Sequence, residues 1–351
     1  MITEAARQFF QSAILTPSPS GYEERLQTLV RDYISPHATT VRTDVHGNVI
    51  AAAGNEKGPR LMYAGHCDQI GMLISYIDEF GFVYGQTIGG WDPQQLIGQA
   101  MTIWTDNGPL PAAISRKPIH LLNDKERQEV VQLSQLWLDI GAADQEEANG
   151  AVRIGDCVTL ELKYRPLLGR NVCGPGMDNK TGMWTVIESL RRAVAEGESL
   201  GCHLHSVSTV QEEIGLRGAK TAAGSIDPEV AIAVDVTHAS DCPTIEKQQQ
   251  GDIRVGGGPV IYRGPNLNPL VVQRLIELAD EKNIPYQLAA VGRATSNDAN
   301  PLQLHGGGVA TGLVAIPNRY MHSAVEVISL DDIDNAAELL SWFAKRLTKA
   351  D

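Results

Sequence analysis

The sequence has no apolar run long enough to cross a membrane and no recognisable export signal. No stretch approaches the roughly 20 apolar residues that span a bilayer. The first five residues, MITEA, contain neither the basic part nor the apolar part of a secretory signal. We therefore expect a cytoplasmic protein with no membrane partner.

Positive charge is also scarce. Lys and Arg total 29 against 42 Asp and Glu, which gives a net charge of −13. A surface of this sign repels phosphate groups, and no basic run offsets it. We therefore expect no nucleic-acid partner.

Cysteine is rare, and the five residues are scattered without a CxxC pair. An odd number of isolated thiols is typical of a reduced protein with buried free cysteines, which again favours the cytoplasm. The five are Cys67, Cys157, Cys173, Cys202 and Cys242.

The sequence does contain enough apolar material for a large core. Its 351 residues are 43% hydrophobic, which predicts one large domain and a smaller one. Residues 3–13 and 22–34 have the periodicity of amphipathic helices. Ser20 and Glu23 have the spacing of a capping box for the second helix. Strand-like runs follow at residues 40–42, 48–53 and 60–65.

The pattern changes at Met72. Short strands separated by turn signals continue to about residue 164, with few long helices among them, so we predict a small β-rich domain at 72–164. This insert divides a larger α/β domain, predicted at 1–71 and 165–351. The later elements of that domain are predicted at 179–195, 204–210, 231–234, 268–282, 308–316 and 330–349.

Polar residues end several of the apolar strands or open a helix. Ligands of α/β sheets gather at the carboxyl ends of strands. Two histidines and three carboxylates suit a pair of divalent ions, because imidazole favours zinc or cobalt and carboxylates accept manganese. The motifs are His66-Cys67-Asp68, Met177-Asp178-Asn179, Glu212-Glu213, Asp235 and Tyr320-Met321-His322.

Each of these motifs also has an ordinary structural explanation. His66 alone could be a hydrogen-bonded core histidine, Asp178 a helix cap, and Glu212-Glu213 a solvated acidic turn. Spacing alone leaves both interpretations open. A run of three glycines and a proline at 256–259 lacks the Lys-Ser/Thr pair of a phosphate loop, so we predict a tight turn there.

Seven short motifs, in the same order along the chain, resemble the M42 family of metallo-aminopeptidases, which includes glutamyl, leucyl and deblocking enzymes. They are Pro19-Ser20-Gly21-Tyr22-Glu23, Gly65-His66-Cys67-Asp68-Gln69-Ile70-Gly71, Leu138-Asp139-Ile140-Gly141-Ala142, Gly176-Met177-Asp178-Asn179-Lys180, residues 211–219, Ala233-Val234-Asp235-Val236-Thr237, and residues 316–323.

The resemblance implies a fold and a metal site. The fold would be a mixed-sheet α/β dimetal peptidase domain, interrupted by a small barrel-like or PDZ-like dimerisation domain. Two divalent ions per subunit are implied, zinc or cobalt, with manganese as an alternative. Asp178 would bridge them. His66 and Asp235 would complete one metal site, and Glu213 and His322 the other.

Two further residues receive catalytic roles from the same resemblance. Glu212 would be the general base, and Asp68 would orient the imidazole of His66. A hydroxide bridging the two metals would attack the scissile carbonyl, and Glu212 would pass the proton to the leaving amine. The implied substrates are peptides with a free α-amine, which would lose their N-terminal residue.

Self-association is implied as well. In the family the insert forms dimers, and these assemble into hollow tetrahedral dodecamers, so the expected partners are peptides and further copies of this chain. The sequence departs from the family pattern at Cys67, Lys180 and Asn297, where Met, Arg and Thr are common. None of these three is an implied ligand, so the departures concern substrate preference.

Other functions fit the sequence less well. A related dimetal carboxypeptidase or deacylase would share much of the ligand set, but its extra domain usually follows the middle ligands. Here the insert lies between His66 and Asp178. An endoglucanase needs two facing carboxyls and leaves the histidines unexplained. A non-catalytic oligomeric scaffold would be expected to have lost ligands or Glu212, and all of them are present.

Overall fold

The computed structural model describes residues 1–197 and 199–348 and divides the chain into two compact units. The first, here called the α/β unit, comprises Met1–Gln69, Lys163–Met321 and Val325–Asp351. The second, here called the barrel unit, comprises Ile70–Leu162 and His322–Ala324. Each unit contains a hydrophobic core of its own.

The α-helices are distributed over both units. No helix in the described residues is both long and apolar enough to span a membrane. In chain order they are α1 (Glu4–Ile14), α2 (Glu24–Ile34), α3 (Pro93–Leu96), α4 (Asp124–Gln128), α5 (Gln145–Ala151), α6 (Met177–Ala193), α7 (Arg217–Ile226), α8 (Lys247–Gln250), α9 (Pro269–Lys282), α10 (Ala299–Gln303) and α11 (Leu330–Arg346).

The strands form one large sheet, one small sheet and a barrel. They are β1 (Thr40–Thr43), β2 (Val49–Gly54), β3 (Arg60–His66), β4 (Gly71–Ile77), β5 (Val83–Ile88), β6 (Gln99–Thr105), β7 (Gly108–Ser115), β8 (Trp137–Asp139), β9 (Cys157–Leu160), β10 (Arg165–Pro166), β11 (Asn171–Cys173), β12 (His203–Thr209), β13 (Val230–His238), β14 (Val260–Arg263), β15 (Gln287–Ala290), β16 (Ala310–Asn318) and β17 (Val327–Ser329).

An eight-stranded mixed sheet forms the centre of the α/β unit, in the order β1-β2-β12-β3-β13-β16-β14-β15. Its four middle strands, β12, β3, β13 and β16, run parallel to one another. They are buried along almost their whole length, which explains their content of Val, Ile, Leu and Ala. Their carboxyl ends therefore lie at the same edge of the sheet.

The barrel unit is a closed antiparallel barrel of six strands, in the order β4-β5-β8-β7-β6-β9. In β6, buried residues alternate with half-buried or exposed ones over most of the strand, so one face points inward. The core inside the barrel is mainly aliphatic and includes Met72, Ile103, Leu138 and Val158. Together with the mixed sheet, this barrel confirms the predicted fold class.

One local prediction about the N-terminal region is wrong. Helix α2 begins at Glu24, and the side chain of Glu23 makes no cap hydrogen bond. The Ser20 hydroxyl donates instead to Asp68 Oδ2 at 2.7 Å. Ser20 and Glu23 therefore have the spacing of a capping box, but their side chains form hydrogen bonds with residues far away in the chain, Asp68 and Gln211. The predicted closing helix ends at Arg346, and Lys349, its predicted last residue, lies outside the described residues.

Gly65 allows helix α6 to lie directly on strand β3. A Cβ atom on Gly65 would lie 2.5 Å from the carbonyl carbon of Gly182 and 2.7 Å from the backbone nitrogen of Met183. Both contacts are with backbone atoms, so no side-chain rotation could relieve them. This close approach is one residue from His66 at the end of β3.

The glycine run at 256–259 forms the predicted tight turn, and a carboxylate binds its backbone. The N–H of Gly256 donates to Asp332 Oδ2 at 2.7 Å, and the N–H of Gly258 donates to Asp332 Oδ1 at 2.8 Å. Asp332 lies in the first turn of α11 and is fully buried. Burial raises the pKa of its carboxyl from 3.8 to about 6.

We predict that Gly65→Ala destabilises the protein by about 1–3 kcal/mol, because the added methyl group must separate α6 from β3. A fall of several degrees in Tm, measured by thermal denaturation, is the expected result. Gly224→Ala is the matched control. This exposed helix glycine has no atom within 4 Å of its added Cβ, so the control should raise Tm slightly. A Gly65→Ala variant as stable as wild type would contradict the close packing.

We also predict a pH dependence that originates at Asp332. The folded protein retains this proton up to about pH 6, whereas the unfolded chain releases it near its ordinary pKa. The folded state therefore loses up to about 3 kcal/mol of relative stability as the pH rises through this interval. Asp332→Asn has no proton to lose, so its Tm relative to wild type should increase from acid to neutral pH. A constant Tm difference would refute this assignment, and Glu56→Gln, at an exposed carboxyl between β2 and β3, should retain the wild-type profile.

Candidate active site

The candidate site lies at the carboxyl ends of neighbouring parallel strands in the α/β unit. β3 ends at His66, and β12 ends at Thr209 just before the acidic pair. These two residues are paired in register, so the strand ends are adjacent. β13 carries Asp235, and α6, which packs against β3, carries Asp178 in its first turn.

The two ring nitrogens of His66 face different groups. Nδ1 lies 3.0 Å from the carbonyl oxygen of Asp68 and 3.4 Å from its Oδ1. Nε2 lies 3.3 Å from Asp178 Oδ1, 3.7 Å from Glu212 Oε2 and 3.7 Å from Asp235 Oδ1. When Nδ1–H donates to the Asp68 carbonyl, the lone pair of Nε2 is directed at three carboxylates. This is the orientation expected of a metal ligand.

The carboxylate of Asp68 is fully buried and anchors the acidic turn. Its Oδ1 accepts a hydrogen bond from the N–H of Glu212 at 3.0 Å, and its Oδ2 accepts one from the N–H of Glu213 at 3.1 Å. The closest contact between Asp68 and the imidazole of His66 is through the carbonyl oxygen. Asp68 therefore holds the histidine ring mainly by its backbone and the two glutamates by its side chain.

Asp178 enters the site from the start of helix α6. Its N–H donates to Glu326 Oε2 at 3.0 Å, and the peptide bond to Asn179 is cis. The side-chain amide of Asn179 donates to the carbonyl oxygen of Val234 at 2.8 Å. This bond ties the beginning of α6 to β13 one residue before Asp235, so two of the predicted ligands are held relative to each other.

Potential ligand atoms form two groups in the α/β unit. In the first group, a ring nitrogen of His66 and one carboxylate oxygen each of Glu212 and Asp235 all lie within 4.8 Å of one another. A carboxylate oxygen of Asp178 lies within 4.8 Å of one of Glu213. Since Asp178 also lies 3.3 Å from the imidazole of His66, it is near both groups, as a shared ligand of two ions must be.

Burial and crowding change the proton affinity of these groups. Burial raises the pKa of Glu212 well above its ordinary value; His66 opposes this, and the charges of Asp235, Asp298 and Glu213 raise it further. Burial likewise raises the pKa of Asp235, again against the effect of His66. At His66 burial opposes protonation, but the surrounding carboxylates, Glu212 first, raise its pKa well above the usual range.

This donor set fits divalent cations. Buried carboxylates that lie close together are unfavourable unless protons or a cation compensate their charge. Within the α/β unit, one imidazole supplies at most one positive charge to the four carboxylates of the two groups. Nitrogen and oxygen donors of this kind are those that zinc, cobalt and manganese accept in proteins. The four carboxylates are Asp178, Glu212, Glu213 and Asp235.

His322, the remaining predicted ligand, belongs to the barrel unit. Its backbone has a φ of 60°, and its Nδ1 lies 2.9 Å from the carbonyl oxygen of Gly90. An Nδ1–H that donates to this carbonyl leaves the lone pair on Nε2, which is the tautomer that a ligand histidine requires.

Sequence reasoning assigned no role to Asp298, which is 3% exposed. Its Oδ2 accepts a hydrogen bond from the Thr209 hydroxyl at 2.6 Å, and its Oδ1 has no hydrogen-bond partner among the described residues. Burial raises the pKa of Asp298 to about 7. Its neighbour Asn297 stands out only as a departure from the family pattern, and no local pattern connects Asp298 with Thr209, which lies 89 positions away.

Known proteins share this sequence and fold. Residues 47–339 match the family described as M42 glutamyl aminopeptidase. The lysyl aminopeptidase of Pyrococcus furiosus is 35% identical over 351 residues, covering 98% of each chain. A TET aminopeptidase from a marine sediment archaeon, Thaumarchaeota archaeon SCGC AB-539-E09, has a TM-score of 0.94 at 31% identity, covering 98% of this chain and 97% of that chain.

A third relative, the TET1 peptidase of Pyrococcus horikoshii, has a TM-score of 0.86 at 28% identity, covering 97% of this chain and all of that chain. That protein is described as able to assemble into a tetrahedron or a large octahedral shell.

The resemblance inferred from seven short motifs is thereby confirmed. The family match spans most of the chain, and the lysyl enzyme covers nearly its full length. The site geometry agrees with this assignment, because it supplies the nitrogen and oxygen donors that a metallopeptidase requires. The chain therefore belongs to the M42 peptidase family and is a metallo-aminopeptidase.

Proposed function

We propose that this protein is a dimetal aminopeptidase that removes the N-terminal residue from peptides with a free α-amine. The position of two adjacent glutamates is the observation that carries the proposal. The Glu212 carboxylate lies with His66 and Asp235, whereas the Glu213 carboxylate lies with Asp178. Two neighbouring side chains that face different groups can perform different tasks, one as a base and one as a ligand.

Five residues would hold the two ions. Asp178 would be the shared ligand, His66 and Asp235 would complete one site, and Glu213 and His322 the other. The role of His322 rests on its place in the family motif at residues 316–323. Zinc or cobalt is expected from the imidazole ligands, with manganese as the alternative. When bound, such ions polarise a scissile carbonyl and lower the pKa of an attacking water.

Glu212 would be the general base and acid. Its N–H is fixed by the carboxylate of Asp68, and its side chain is only 10% exposed, so the carboxylate remains in the site. It takes a proton from the attacking water and returns it to the leaving amine. A group that both accepts and donates a proton works best when its pKa is close to the working pH. Burial raises the pKa of Glu212 from its ordinary acidic value towards that pH.

The net charge of the protein favours aminopeptidase over carboxypeptidase activity. Two divalent ions would offset the four carboxylates of the site itself. The net charge of −13 for the whole chain still attracts the α-ammonium group of a peptide and repels a C-terminal carboxylate at longer range. The name of the Pyrococcus furiosus relative, a lysyl aminopeptidase, suggests that basic N-terminal residues should be among the first substrates tested.

We place the enzyme in the cytoplasm and infer that it is a homo-oligomer. All five cysteines are free, which suits a reducing compartment. The large assemblies described for the TET1 peptidase support a homo-oligomer, and the dodecamer built from dimers is the form that the family resemblance implies. The barrel unit exposes 57% of Tyr76 and 63% of Phe80. Large exposed aromatic side chains are typical of contact surfaces between subunits.

We predict that Glu212→Gln retains its metal but loses turnover by about 10²–10⁴-fold, because it lacks the base and keeps every ligand. Asp178→Asn should instead lose metal at one or both sites. The rate of aminoacyl-p-nitroanilide hydrolysis and elemental analysis of the metal content distinguish the two effects. N-acetylated substrates should not be cleaved.

Glu56→Gln, a change at an exposed carboxyl in the turn between β2 and β3, is the matched control and should behave as wild type. A metal-replete Glu212→Gln variant with nearly normal kcat would exclude Glu212 as the base. Normal metal content in Asp178→Asn would exclude the shared-ligand role.

We predict a native mass close to twelve times the 37.9 kDa of one chain. Light scattering coupled to size-exclusion chromatography measures it directly. Dimers should be the smallest active species on dilution, because they are the proposed building block. A fully active monomer at all concentrations would refute the assembly, while leaving the chemistry of the site untouched.

A further inference from the structure

Three consecutive backbone N–H groups of the acidic turn donate to buried carboxylates. Those of Glu212 and Glu213 bind Asp68. The N–H of Gln211 donates to Oε1 of Glu23 at 3.1 Å, and the same oxygen accepts a hydrogen bond from the N–H of Gly21 at 2.8 Å. Two carboxylates from distant parts of the chain thus hold three successive residues.

Gln211 has a backbone conformation that residues with a Cβ atom rarely adopt. Its φ is 55°, in the left-handed region. It stands between the end of β12 and Glu212, so its conformation determines the direction in which the two glutamates leave the sheet. Its side-chain Oε1 lies 3.2 Å from Nε2 of His46. A left-handed residue that is not glycine persists only where its surroundings hold it.

Glu23 is free to hold Gln211 because its side chain does not cap the helix that follows it. The residue is only 6% exposed. A buried carboxyl group is costly unless hydrogen bonds compensate for the loss of water. The two N–H groups that bind its Oε1 belong to Gly21 and Gln211, and only the second lies next to the proposed base.

We propose that Glu23 is a positioning residue of the peptidase reaction. It holds Gln211 in the left-handed conformation and thereby directs the carboxylate of Glu212 into the site. This inference rests on the proposed role of Glu212 as the general base. It also gives the family motif at residues 19–23 a function. Ser20 donates a hydrogen bond to Asp68, and Glu23 accepts one from Gln211, so the motif supports the acidic turn through both residues.

Three variants test the proposal. Glu23→Ala removes the acceptor, so kcat should fall by about 10–100-fold while KM and metal content stay within about threefold of wild type. Glu23→Gln keeps an oxygen at the same position and should stay within about threefold of wild-type kcat. Hydrogen–deuterium exchange of the peptide that contains residues 211–213 should be faster in Glu23→Ala and unchanged in Glu23→Gln.

A second-site change separates the conformational role from a general loss of stability. Glycine adopts the left-handed conformation without the steric cost that glutamine has. The double variant Glu23→Ala/Gln211→Gly should therefore have a kcat about five- to thirtyfold higher than that of Glu23→Ala alone. Failure of glycine to restore any turnover would overturn the proposal, as would wild-type kcat and exchange in Glu23→Ala.

Glu188→Ala is the matched control for the loss of a buried carboxylate. Glu188 is fully buried in α6 and binds Arg191 and Arg192, away from the acidic turn. It should lower Tm without changing kcat per folded molecule. If Glu188→Ala reduces kcat as much as Glu23→Ala does, the effect of Glu23 is only structural.

The activity of Glu212→Gln distinguishes a failure of the proposed function from a failure of the positioning role. If Glu212→Gln proves active, the proposed base is wrong, but the exchange measurement still decides whether Glu23 holds the turn. If Glu212→Gln is inactive and Glu23→Ala matches wild type in both kcat and exchange, the proposed function stands and the positioning role fails.

Discussion

Negative charge gathered at the end of a buried sheet is the constraint on which the α/β unit depends. Four clustered carboxylates share a single imidazole in this unit, and burial raises the proton affinity of Glu212 and Asp235. Such a group of charges repels itself unless a cation compensates it. The hydrogen bonds around it resist that repulsion. Asp68 fixes the backbone of the acidic turn, and Asn179 fixes the start of α6 to β13.

The close packing of α6 on β3 brings these charged groups together. Gly65 lets the helix approach β3 to backbone contact, and Gly182 lets it approach the carbonyl oxygen of Val234 on β13. Asp178 can then reach His66, with 3.3 Å between its Oδ1 and the imidazole Nε2. The small residues where α6 crosses the sheet and the polar residues beside them therefore act together. The small residues allow the close approach, and it brings the carboxylate of Asp178 to the imidazole of His66.

The sequence predicted the elements with strong periodicity and the residues that lie in short motifs. The parallel strands and long helices could be predicted from apolar patterns. His66 and Glu212 stood out because each follows an apolar run, and Asp178 because it precedes a predicted helix. The roles of Ser20 and Glu23 could not be read in this way. Their spacing is that of a local helix cap, whereas their partners are set by tertiary structure. Asp298 is similar, because its contact with Thr209 joins positions 89 residues apart.

The contact between Glu23 and Gln211 also has a consequence for how the enzyme is made. The two residues are 188 positions apart in the chain. At ordinary rates of protein synthesis, roughly 10–40 s separate their emergence from the ribosome. Asp298 follows later still, after most of the α/β unit has been translated. A nascent chain therefore carries Glu23 long before the turn that it contacts has been made, and a site assembled from such distant segments can form only when synthesis is nearly complete.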